Sequence, residues 1–84
     1  MTEDVVIQQV RDYVVRTAGM ASAPGDDERL IDKGFIASVR MLDLVGFLED
    51  TFAIRMRPID LVPENLASVR QIAHVVVRRL AARH

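Results

Sequence analysis

Val69, Ile72, Ala73, Val76 and Leu80 follow one another at intervals of three and four. That spacing lines side chains along one stripe of an α-helix and scatters them over both faces of a strand. The run opens with Ser68-Val69-Arg70-Gln71, a Ser-x-x-Gln capping box in which hydroxyl and amide satisfy the first free backbone N–H groups. The same period appears twice upstream. From about Glu3 to Thr17 the apolar face is Val6, Val10, Tyr13, Val14 and Thr17, and from about Ser38 to Thr51 it is Met41, Leu44, Val45, Leu48 and Phe52. Three amphipathic helices in 84 residues must bury their stripes against one another, because a chain this short supports one core.

The segments between are set by breakers. Gly19 offers a stop for the first helix, and Ala23-Pro24-Gly25-Asp26-Asp27 interrupts the chain again. Residues 18–37 thus form a long crossover, pinned to the core through Leu30, Ile31, Phe35 and Ile36. Pro58 ends the helical region after Phe52-Ala53-Ile54, and Ile59 to Asn65, with Pro63 inside, suits at most a short helical turn. The expected fold is all-α: a small four-helix bundle of three main helices and one short one, forming a single domain over residues 1–84.

Composition narrows the function. The chain has no cysteine, so neither a disulfide framework nor a thiolate metal site is expected. A formal charge of -1 argues against nucleic acid as an electrostatic partner. The acidic opening Met1-Thr2-Glu3-Asp4, followed by apolar residues broken by Gln8, Gln9, Arg11 and Asp12, resembles neither a signal peptide nor a membrane span. A cytoplasmic monomer is the expectation. His74 reads as a surface or boundary residue and the Asp26-Asp27-Glu28 run as solvated. Arg78, Arg79 and Arg83 near the C-terminus suit the negative end of the last helix dipole.

Ser38 stands where the long loop enters a helix, directly after Gly34-Phe35-Ile36-Ala37. Alone it reads as an ordinary N-cap or first-turn serine. It is not a hydrolase nucleophile: the elbow that exposes such a serine needs glycine where Ile36 and Arg40 stand, and no histidine nearby in sequence offers a base.

Its surroundings resemble the acyl and peptidyl carrier protein family. The family pattern, Asp-x-Gly, two hydrophobic residues, Asp-Ser and a hydrophobic residue, is similar to Asp32-Lys33-Gly34-Phe35-Ile36-Ala37-Ser38-Val39. The helix that follows carries Leu44-Val45 and then Leu48-Glu49-Asp50-Thr51-Phe52, against the family's Leu-Glu-x-x-Phe. Ile54, Pro63-Glu64-Asn65-Leu66 and Ser68-Val69 match the later pattern of Ile, a Pro-Glu-Asn turn and a Ser-Val helix start.

The resemblance implies a bundle of the acyl-carrier-protein type, with phosphopantetheine from coenzyme A attached to Ser38 by a phosphopantetheinyl transferase. A free-standing carrier of this kind holds acyl or aminoacyl groups as thioesters and is not itself an enzyme. Its partners are loading and processing enzymes, in polyketide, nonribosomal peptide or related specialised biosynthesis. They are expected to dock on the helix starting at the serine, through Val39, Arg40, Asp43, Phe47 and Asp50. Ala37 replaces the family's Asp before the serine, which leaves open an unmodified carrier-like interaction module. A carrier for fatty-acid synthesis is a further alternative.

Overall fold

The computed structural model describes residues 2–18, 22–30 and 38–82. Side chains are described for 2–17, 22–30, 42–62 and 64–82. Helix α1 spans Glu3–Ala18, α2 Ser38–Phe52 and α3 Val69–Ala82, and two single 3₁₀ turns, Pro58–Asp60 and Pro63–Leu66, lie between α2 and α3. Among the described residues there is no strand. The expected short fourth helix is therefore divided in two. Each proline takes the first position of its turn, where its missing N–H costs nothing, and Pro63 interrupts what would be one continuous segment. Gly19, Ile31, Phe35 and Ile36 lie outside the described residues.

Local chemistry fixes the helix starts. Thr2 caps α1, its Oγ1 accepting from Val5 N–H at 3.3 Å and its carbonyl from Val6 N–H at 3.2 Å. Glu3 and Asp4 then place negative charge at the positive end of the dipole. Ser68 caps α3 as its sequence context predicts, accepting from Gln71 N–H at 3.2 Å.

One cluster of buried residues joins the elements: Val6, Ile7, Val10 and Val14 of α1, Leu44, Leu48 and Phe52 of α2, and Val69, Ile72, Ala73 and Val76 of α3. Leu30, Ile54 and Leu66 complete it from the connections. α1 and α3 form the principal pair, and α2 rests against α3 over a smaller area. Between α1 and α2, the rings of Tyr13 and Phe47 stack with centroids 4.2 Å apart, and Phe47 meets Phe52 edge-on at 6.3 Å. The Cα radius of gyration, 11.7 Å, matches the roughly 12 Å of a compact chain this long.

The acidic run in the crossover is solvated, with the Asp27 side chain 74% exposed, but it is also ion-paired. Asp26 is ion-paired with Arg11 of α1, and Arg70 of α3 lies 2.8 Å from Asp27 Oδ1 and 3.4 Å from Asp26 Oδ2. Backbone bonds follow the same path. Arg70 N–H donates to the Asp26 carbonyl at 2.9 Å, Leu30 N–H to that of Ala67 at 2.7 Å, and Arg11 Nε to that of Pro24 at 2.9 Å. The crossover is thus strapped across the α1–α3 pair by arginines from both helices. The ions are partly exposed, so the expected cost of Arg70→Ala is about 0.5–1 kcal/mol. Urea unfolding at low and high salt checks it: the gap from the parent chain should narrow as salt screens the pair. A gap indifferent to salt would remove the electrostatic account.

Candidate functional site

The loop-to-helix junction proposed from sequence coincides with the first residue of α2, Ser38. The first backbone N–H groups of any helix lack partners within it, and the dipole makes that end attractive to an oxyanion. The side chains of Ser38, Val39 and Arg40 lie outside the described residues, as do Asp32 to Ala37.

Beyond that start, the 3.6-residue period divides α2 cleanly. Leu44, Leu48 and Phe52 are buried. Asp43 and Asp50 are exposed on the side away from the core, and Val39 and Gly46 share their register. Phe47 stands apart from the other docking candidates. It is half-buried against the core, with its ring stacked on Tyr13, so only part of it remains for a partner. The sequence reading passed over Leu42, whose side chain is 72% exposed. Projecting α2 on a helical wheel would have found it, since Leu42 falls off the Leu44–Leu48–Phe52 stripe.

The Leu48-Glu49-x-x-Phe52 motif has a physical explanation within the fold. Leu48 and Phe52 are core residues, while Glu49 Oε2 accepts the N–H of Met56 at 2.9 Å and ties the departing chain back to α2. Between them Ala53 adopts φ 54°, the left-handed conformation that ends helices and favours glycine. Ala53→Gly should therefore raise stability by about 0.5–1 kcal/mol. A thermal midpoint that stayed level or fell would contradict that strain.

A second polar centre follows. Asp60 is only 4% exposed, yet its Oδ2 accepts from Arg57 N–H at 2.9 Å and lies 3.4 Å from Arg79 Nε. A buried carboxylate needs such partners. Arg79 was expected to serve the helix dipole; it also reaches this carboxylate. Next to it, Glu49, Ala53, Ile54, Arg55, Arg57, Arg79 and Ala82 line an open cleft of about 470 Å³. It lies at the opposite end of α2 from Ser38, roughly 20 Å along a helix of this length. His74 lies at the surface, its Nε2 2.7 Å from Glu3 Oε1. Among the described residues, no histidines and carboxylates converge in the numbers a metal ion needs. No helix there is long and apolar enough to cross a membrane.

Compared with known proteins, the chain matches no family model, no curated protein and no solved structure.

Proposed function

We propose that the chain is a carrier domain that holds acyl or aminoacyl groups as thioesters on a phosphopantetheine arm esterified to Ser38. One observation carries the reading. The serine picked out by the motif is also the first residue of α2, where a phosphodiester meets unpaired N–H groups and the positive end of the dipole, worth about 0.3–1 kcal/mol when exposed. The arm supplies the thiol that a chain without cysteine lacks. Its role is tethering, which raises the cargo's effective concentration at each partner. The chemistry belongs to the transferase and to the loading and processing enzymes, not to this chain.

The partner surface is the outward face of α2: Val39, Arg40, Asp43 and Asp50 by position, with Leu42 added for its exposure and Phe47 contributing the open edge of its ring. A large apolar side chain in open solvent, on a helix that also exposes two carboxylates, suits a mixed apolar and ionic contact. Its near balance of charge favours a specialised pathway over fatty-acid synthesis. Ala37 and the exposed Leu42 together support a second reading, in which the same face binds a protein partner without any arm. Intact mass after incubation with coenzyme A and a phosphopantetheinyl transferase separates the two, because only a carrier gains the arm.

A further inference from the structure

The cleft at the far end of α2 has no part in carrying the arm, and its charge runs against that of the chain. Three arginines line it, Arg55, Arg57 and Arg79, against one carboxylate, Glu49. With Asp60, the buried partner of Arg79, counted as well, that leaves +1 (three minus two) in a chain of net -1. Glu49 is already engaged by Met56 N–H, and Arg79 is drawn toward the buried Asp60. Arg55 and Arg57 are both exposed, and among the described residues neither guanidinium has a carboxylate partner. Two unneutralised forks thus stand over a floor that includes Ala53, Ile54 and Ala82.

We propose that this cleft docks an acidic, partly apolar segment of a partner protein, its carboxylates held by Arg55 and Arg57 and its apolar side chains laid on Ala53 and Ala82. Guanidinium forks match carboxylates with paired hydrogen bonds, and arginine is enriched where proteins meet. A small free anion fits less well. Both α2 and α3 end at this cleft, so an ion seated deep between them faces the negative ends of two dipoles. Carboxylates reaching in from an extended segment stay at the rim, beside the exposed arginines. The contact is independent of Ser38, and a partner could use it together with the outward face of α2.

The test is a titration of the intact chain, followed by NMR of the arginine Nε–H and backbone signals, with a capped peptide of alternating glutamate and leucine as probe. Shifts are expected at Arg55, Arg57, Arg79 and Ala53. Binding should fall at least about tenfold in the Arg55→Gln/Arg57→Gln double variant and weaken with added salt. Both positions are exposed, and the double variant's backbone spectrum away from the cleft reports whether it keeps the fold. If that spectrum is lost, Arg55→Gln alone provides the comparison. Three outcomes overturn the proposal: no shift at the cleft, equal binding by the glutamine analogue of the peptide, or inorganic phosphate giving the same shifts at lower concentration. The last would make it a small-anion site.

Discussion

Incubated with coenzyme A and a broad-specificity phosphopantetheinyl transferase, the protein should gain the mass of one phosphopantetheine, and Ser38→Ala should gain none. The expected effect is all or nothing, because one hydroxyl forms the ester. Fragmentation should place the added mass on the peptide containing Ser38. The result does not hinge on stability, since removing a first-turn hydroxyl costs only about 0.5–2 kcal/mol and the variant's circular dichroism reports whether α2 survives. Ala37→Asp restores the carboxylate that the family carries before its serine, and should speed loading at unchanged stability. If the parent chain stays unmodified while a control carrier is loaded, Ala37→Asp becomes decisive. Gain of the arm only in that variant would mark Ala37 as disabling and favour the unmodified interaction module.

How far sequence reaches into this fold differs from element to element. The stripes on α1, α2 and α3 could be read because helix periodicity is local. Most of their residues reappear in the core, Tyr13 and Leu80 pack at its edge, Thr17 and Val45 stay outside it, and the side chain of Met41 lies outside the described residues. Ser68 could be read as a cap because its partner, Gln71 N–H, is three residues away. The arginine strap could not. Arg70 and Asp26 are 44 residues apart, and nothing local distinguishes that aspartate from its solvated neighbours. The burial of Asp60 was equally hidden: a Pro-Ile-Asp turn looks like surface until Arg79 is brought across from α3. At the start of α2, sequence supplied the serine and its motif, and the fold supplies the helix terminus. Leu42 was within reach of a helical wheel, but the cleft of Arg55, Arg57 and Arg79 needed the packing first, because it is formed by what neighbouring elements leave uncovered.

Leu48→Ala should unfold much of the population under conditions where the parent chain is fully folded, and Leu42→Ala should not. Both leucines belong to α2, six positions apart, and their sequence contexts are equally apolar. Leu48 is fully buried in the shared core, whereas Leu42 is 72% exposed. Truncating a buried leucine removes its transfer free energy and leaves a cavity, together about 2–5 kcal/mol. A chain of 84 residues carries a total stability on the order of 4–13 kcal/mol at typical per-residue values. The loss is thus a large share of the whole. Each kilocalorie shifts the thermal midpoint of so small a domain by about 4–8 °C, so a drop of at least about 8 °C is expected. Truncating Leu42 removes a side chain that water already surrounds, and its expected effect lies within about 0.5 kcal/mol. Urea unfolding followed by circular dichroism measures both on one scale. Equal losses would mean that α2 is rotated about its axis relative to the register described, and the outward face would then have to be redrawn. Unequal losses leave Leu42→Ala as a folded variant in which partner binding can be measured without a stability defect. It is the appropriate probe of whether loading enzymes grip the side of α2 that the core leaves open.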